Sequence, residues 1–320
     1  IVVICDAGGC TGNVCGFDEP RWFEQKSAIF SAGLRDMDAI LGRDDRLVAK
    51  LTSAVEKLDV SFAAIIGTPV PAVIGTDYKA LGRMTEKKTG LPVLTIDTNG
   101  MDLYDRGQEK AWLALFKKFV VDEMSVEKGR VGIIGATPQD LSDLSAGDQL
   151  RQIFAADGKK AVCYGMGDGL DAVKQAASAE YNLVVSPSAL ETAKYLQKQF
   201  GTPYVVGYPL VKTMLPEADY TGKKVLIVHQ QVMANALREE LKMRGASEVK
   251  VCSWFDMKPE LREEDDVYLK EEDDFTELAA DSKWDVVIAD DCMKSMLPKF
   301  DGQFIGIRHF AVSGKLGGAC

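Results

Sequence analysis

Cys5, Cys10 and Cys15 lie within the first fifteen residues, on a glycine-rich stretch that follows the apolar run Ile1-Val2-Val3-Ile4. Thiols grouped at the carboxyl end of a short strand point to soft-metal chemistry, above all to an iron–sulfur cluster. Their C-x4-C-x4-C spacing matches no common ferredoxin run. The tight C-x2-C pairs or histidines that zinc prefers are absent from the stretch. Three thiols leave a four-coordinate site one ligand short, with Asp6, Asp18, a preceding segment or a second subunit as sources of the fourth. Two other roles stay open: buried thiols acting as small apolar side chains, or a redox-sensing thiol.

Cys163, Cys252 and Cys292 sit on or just after expected strands, and core packing is the expected role of each. The chain has only two histidines, His229 and His309. His229 ends the run Lys224–Val228 and is placed at the ligand edge of a sheet. Both are candidates for acid–base work, and both are equally compatible with a satisfied structural histidine. So few histidines, with no G-x-S-x-G elbow, argue against a triad hydrolase. Gly165-Met166-Gly167-Asp168-Gly169 follows a strand, but the third fingerprint glycine is replaced by Leu170, so a tight turn is expected rather than a phosphate cradle. No G-x4-GK[ST] run is present, which speaks against ATP hydrolysis by this chain itself. The segments 67–77 and 95–101, the latter with Asp97, leave two strands of the first block. They are expected to converge with the thiol loop at one sheet edge.

The elements that would position these groups repeat a pattern of apolar strand, glycine-containing turn and amphipathic helix, which denotes parallel α/β layers. Three Rossmann-like blocks are expected, residues 1–128, 129–216 and 217–320. In the first, Val2–Ile4, Phe62–Ile66 and Val93–Ile96 read as strands, and 44–57 and 108–121 as helices. The prolines at 69 and 71 point to a stiff extended segment before a helix. The second has strands at Val131–Ile134, Ala161–Tyr164, Leu183–Val185 and Tyr204–Val206. The third has Lys224–Val228, Glu248–Cys252 and Val286–Ala289. Between its last two strands, 258–274 carries two runs of four carboxylates. A calcium site lacks the required spacing and glycine there, so a solvated acidic loop is expected.

An apolar fraction of 46% with 27% charged residues describes a globular chain. A net charge of −10 argues against a general nucleic-acid or anionic-membrane surface. No segment approaches the roughly 18 consecutive apolar residues of a membrane span. Seven cysteines without a secretion signal favour a reducing compartment, with the cytoplasm expected. Because Ile1 stands inside a strand without an initiator methionine, an upstream segment is expected to be missing.

Together these residues resemble the nitrogenase component 1 family of catalytic subunits, cofactor-assembly scaffolds and related tetrapyrrole reductases. Gly9-Cys10 and the stretch to Leu41-Gly42 resemble its Gly-Cys cluster-ligand segment. Pro69-Val70-Pro71-Ala72-Val73-Ile74-Gly75-Thr76-Asp77 resembles its Cys-x-x-x-(Val/Ile)-Ile-Gly-Asp-Asp segment. Asn182–Ser186 with Tyr195, Pro203 and Tyr204 resembles its second domain, and 222–244 the opening of its third. The resemblance implies a three-domain α/β fold and Cys10 as a ligand of an iron–sulfur cluster of the 4Fe–4S type. It also implies a homo- or heterodimer with a related subunit, and electrons from an ATP-dependent iron–sulfur reductase passing to a small-molecule substrate.

The departures matter as much. Pro69 stands where the family has a cysteine, and another family cysteine would precede Ile1. Cys5 and Cys15 are candidate substitutes, and the cluster site is expected to be incomplete in this chain. The family's catalytic-cofactor ligands would fall at Val185 or Ser186 and near Leu316 or Gly317, where no ligand residue stands, so dinitrogen reduction is not expected. The favoured expectation is a nitrogenase-like oxidoreductase component. Its rivals are a non-catalytic cluster scaffold and a metal-free relative that binds a small molecule.

Overall fold

Runs such as Ala63-Ala64-Ile65-Ile66 and Val286-Val287-Ile288-Ala289 are apolar throughout rather than alternating, as strands covered by helices on both faces require. The computed structural model describes residues 1–15, 19–23, 27–35, 37–38, 42, 44–280 and 283–317. It is an α/β fold of three parallel sheets flanked by helices. The chain divides into two compact units, Ile1–Phe119 and Val120–Cys320. Asp18 and Leu41, named above, lie outside the described residues. No described helix is long and apolar enough to cross a membrane.

The first unit contains strands β1 (Val2–Ile4), β2 (Ile29–Ser31), β3 (Ala63–Ile66) and β4 (Val93–Ile96), hydrogen-bonded in the order β2-β1-β3-β4. Its helices are α1 (Gly9–Asn13), α2 (Asp44–Val55), α3 (Pro69–Val73), α4 (Tyr78–Thr89) and α5 (Tyr104–Phe119). Helix α2 buries Leu47, Val48 and Leu51 against Val3, Ile65 and Cys5. Helix α4 starts at Asp77, whose carboxylate accepts from Ala80 N–H at 2.9 Å, and stops at Gly90 with φ of 71°. Helix α5 begins about a turn before its expected start and buries Trp112, Phe116 and Phe119 on one stripe. The two-proline segment is helical rather than extended. Pro69 occupies the first helical position, and first-turn N–H groups have no intrahelical acceptor to lose.

The second unit holds two sheets. One contains β5 (Glu127–Ile134), β6 (Lys160–Cys163), β7 (Ala179–Val184) and β8 (Tyr204–Val206) in the order β6-β5-β7-β8, repeating the first sheet's topology. The other contains β9 (Lys224–Val228), β10 (Glu248–Ser253), β11 (Val267–Tyr268), β12 (Val286–Ala289) and β13 (Gln303–Gly306) in the order β11-β10-β9-β12-β13. One apolar core runs from Val131 and Ile133 through Tyr208 to Ile227, Val251 and Ile288, so these two sheets share an interior. Gly132 is required on β5: a Cβ there would lie 2.3 Å from Asn182 Oδ1.

Ligand edges in such sheets lie outside the carboxyl ends of strands where the winding reverses. Here those points fall between β1 and β3, between β5 and β7, and between β9 and β12.

Candidate functional site

At the edge of the first unit, Cys5 follows β1 directly and its N–H donates to Ile66 O at 2.9 Å. Thr68 Oγ1 donates to Cys5 O at 2.7 Å, while Gly67 and Thr98 exchange hydrogen bonds of 3.1 and 2.8 Å. A Cβ on Gly100 would meet the Pro69 ring at 2.5 Å, so the loops after β3 and β4 are in contact. The thiol loop and the segments 67–77 and 95–101 therefore do converge. Asp6 organises the loop. It is buried, and its carboxylate accepts from Thr11 N–H at 2.8 Å and from Ser31 Oγ at 2.5 Å. Burial opposes its charge, but these donors prevail and hold its pKa below the usual carboxylate value.

The three thiols are not equivalent. Cys5 is 1% exposed and packs with Val3, Leu51 and Ile65. Burial, and then Asp44 and Asp6, push its thiol up to about 12, so it is a core thiol and not a ready thiolate ligand. Cys10 is half-buried in α1, and Cys15 is exposed. Among the described residues no three His, Cys, Asp or Glu side chains come together as a metal-holding group. The described residues thus do not make a complete site for the expected cluster. Asp97 is exposed and paired with Lys110 at 3.2 Å.

Of the remaining thiols, Cys163 and Cys252 are core residues, whereas Cys292 is exposed on the turn after β12. Core packing is therefore corrected for Cys292. Alkylation at pH 8 is expected to modify exposed Cys15 first and Cys292 more slowly, because burial and Asp290 push the Cys292 thiol up to about 11. Cys5, Cys163 and Cys252 should stay protected until unfolding, a difference readable by peptide mass spectrometry.

In the second unit, His229 follows β9 and Asp290 follows β12, so both flank the reversal point of the third sheet. His309 stacks on His229 with ring centroids 4.4 Å apart, and Phe255 meets His309 edge-on at 5.0 Å. His229 Nδ1 accepts from Gln230 N–H at 2.9 Å, leaving Nε2–H to donate to Arg308 O at 3.3 Å. Both nitrogens suit the neutral ring, and burial lowers its pKa to about 4. His309 is also lowered well below the ordinary histidine value, by burial and then by His229. Asp290 accepts from His309 N–H at 2.7 Å, Cys292 N–H at 2.9 Å and Ser313 Oγ at 2.8 Å.

Facing this group from the second sheet, Asp140 lies 4.0 Å from His309 Nε2 and accepts from Ser186 Oγ at 2.9 Å. The pocket lined by Val228, His229, Phe255, Asp290 and His309 has no room for a water molecule. As placed, the two histidines clasp two sheets together, out of reach of solvent.

Two of the positions that the resemblance assigns to catalytic-cofactor ligands are bonded to the segment 140–142, Ser186 to Asp140 and Gly317 to Ser142. Val185 O accepts from Gln230 Nε2 at 3.0 Å, and the Ser186 hydroxyl is bonded to Asp140 and Ser188. Leu316 O accepts from Arg308, and Gly317 N–H donates to Ser142 O. Ser142 takes a left-handed φ of 58° and also accepts from Phe310 N–H at 2.7 Å. Each group here is already bonded within the protein. Asp140, Ser142 and Asp290 were not singled out from sequence, because an aspartate or serine in a loop carries no signal beyond turn and cap chemistry. Gly165–Gly169 forms the expected tight turn, with Asp168 accepting from Cys163 N–H at 2.7 Å and Arg151 at 3.0 Å.

Comparison with known proteins agrees with this architecture. The family described as "Nitrogenase component 1 type Oxidoreductase" matches residues 7–211. The nitrogenase iron-molybdenum cofactor biosynthesis protein NifE of Clostridium pasteurianum is 26% identical over 181 residues, 55% of this chain and 38% of that protein. NifE of Bradyrhizobium diazoefficiens is 23% identical over 189 residues, 56% of this chain and 33% of that protein. The match thus spans little more than a third of these curated relatives. The solved structure "Nitrogenase Cp1 at pH 6.5" aligns with a TM-score of 0.70 at 13% identity, covering 96% of this chain and 81% of that one. "Nitrogenase Cp1 at pH 5" gives 0.66 at 16%, covering 97% and 79%. At these identities the structural likeness speaks for the fold alone. With the family match covering residues 7–211, more than half of the chain, the chain belongs to the nitrogenase component 1-type oxidoreductase family.

Proposed function

We propose that the chain is one subunit of a nitrogenase component 1-type redox assembly. In this reading Cys10, with Cys15 beside it in sequence, contributes to an iron–sulfur cluster completed by ligands from outside these residues. A related subunit is the source named here. The cluster would serve as an electron relay, supplied by an ATP-dependent iron–sulfur reductase, for reduction of a small molecule other than dinitrogen. The observation that carries the reading is the placement of Cys10, half-buried at a sheet edge within the family-matched segment. Val73, at the end of α3, and Met101, on the loop after β4, are 85% and 81% exposed, an apolar surface suited to a subunit contact.

A second reading, an assembly scaffold for a metal cluster, is favoured by the NifE relatives, which are named for cofactor biosynthesis. It is also favoured by the bonded serine and glycine at positions 186 and 317. Anaerobic protein, produced with its partner subunit, should oxidise a reduced iron–sulfur reductase only when ATP is supplied. Transfer of bound iron to an acceptor protein without such oxidation would decide for the scaffold. Absence of bound iron would overturn both.

A further inference from the structure

A groove in the first unit, lined by no cysteine, has a volume of about 530 Å³. That is within the range of roughly 300–1,000 Å³ typical of small-molecule sites. Its floor is apolar, formed by Val3 of β1, Phe30 of the edge strand β2, and Leu47 and Leu51 of α2. Its charged lining groups are Lys50 and Lys57, with no carboxylate among the lining residues. In a chain with ten more acidic than basic residues, two lysines and no carboxylate among the lining residues run against the general balance, with Asp38 beyond the lining but in electrostatic range of Lys50.

Lys50 Nζ donates to Ala32 O at 2.7 Å, which fixes its ammonium at the wall and leaves its other protons free to donate. Lys57 is exposed and makes no salt bridge among the described residues. Phe30 is 39% exposed, so the groove keeps an aromatic face open to an occupant.

We propose that this groove binds a small amphipathic carboxylate, its apolar body on Phe30, Leu47 and Leu51 and its carboxylate held by Lys50 and Lys57. Apolar burial supplies most of the affinity, and the two ammonium groups set orientation and select an acid over a neutral analogue. The wall is tied to the thiol loop. Ser31, a lining residue, donates to Asp6, and Asp6 accepts from Thr11 in the helix that carries Cys10. The proposal does not depend on the cluster reading, because no lining residue is a cysteine.

The test is calorimetric titration of the full chain with decanoate and, as the uncharged probe, decanol. Decanoate is expected to bind saturably at one site, and decanol at least about fivefold more weakly, the scale of an exposed charge pair. Lys57→Glu, an exposed change that leaves the core untouched, is expected to weaken decanoate by about fivefold or more and decanol hardly at all. Ala54→Trp, which fills the groove, should abolish both, with the circular dichroism of the native protein retained. The proposal is overturned if the native chain shows no saturable binding or if decanol binds as well as decanoate. It is equally overturned if both variants bind decanoate like the parent.

Discussion

Asp266→Ala is expected to destabilise the second unit by about 3–5 kcal/mol, the cost of leaving a buried charge without its partner. The Arg238 side chain is 3% exposed, and its guanidinium is held by both oxygens of Asp266, itself 1% exposed. Asn235 Oδ1 accepts one further N–H at 2.6 Å, and Glu263 approaches at 3.3 Å from a half-exposed position. Asp266 also accepts from Glu263 N–H at 2.9 Å, closing the turn before β11. Removing the carboxylate leaves the buried guanidinium with only Asn235 and the half-exposed Glu263 as partners among the described residues. By the usual scaling for a unit of this length, Tm should fall by about 10 °C. Replacing both partners, Arg238→Met with Asp266→Leu, should recover at least half of the loss, because no charge is then buried. Urea unfolding of the parent and the two variants measures the loss and its recovery. A loss below about 1 kcal/mol for Asp266→Ala would mean the pair contributes no more than a surface pair.

Acidification should loosen the same unit through His229 and His309. Burial lowers the His229 pKa to about 4, below the ordinary value of 6.5, so the folded state refuses a proton that the unfolded chain accepts. The contribution of the neutral ring is therefore fully present above about pH 6.5 and declines as pH falls toward 4. At about 1.4 kcal/mol per unit, His229 alone accounts for roughly 3 kcal/mol by pH 4. His309, lowered by burial and by the stacked His229, acts in the same direction. The groups facing the pair do not reverse this. Asp140 stands 4.0 Å from His309 but is already bonded to Ser186, while Asp290 receives N–H and O–H donors and Arg308 offers a carbonyl. Asp290 is held below the usual carboxylate value, burial notwithstanding, so its contribution fades only at lower pH. The interval from pH 6.5 to 5 thus isolates the histidines. His229→Gln should flatten the urea midpoint there, and an unchanged slope would show that the ring titrates freely.

The strands were legible because each is an unbroken apolar run covered on both faces, as at Val131–Ile134 and Val225–Val228. Three edge strands, Ile29–Ser31, Val267–Tyr268 and Gln303–Gly306, were not, since two to four residues with at most two apolar ones in a row carry no run to detect. Two prolines in Pro69-Val70-Pro71 favour extended backbone on sequence, but the hydrogen bond that proline costs a helix interior is not lost in the first turn. The acidic stretch was only partly a solvated loop. Asp266 is buried on Arg238, and Asp274 accepts from Lys270 and Glu271 at the start of the helix Glu272–Ala280. Composition cannot show which one of eight carboxylates turns inward. The site was legible as a meeting of loops, but not in its ligand set, because spacing alone cannot separate the core thiol Cys5 from the half-exposed Cys10. Contacts such as Phe310 to Ser142, 168 residues apart, leave no trace in local pattern.

The central claim is that Cys10 helps to hold an iron–sulfur cluster shared beyond this chain. Its most direct test is the iron and acid-labile sulfide content of anaerobically produced protein with its partner subunit, measured for the parent and for Cys10→Ser. The account predicts bound iron and sulfide with broad visible absorbance in the parent, and their loss in Cys10→Ser with the fold intact. A parent free of iron, or a Cys10→Ser protein that retains the same iron, would contradict it.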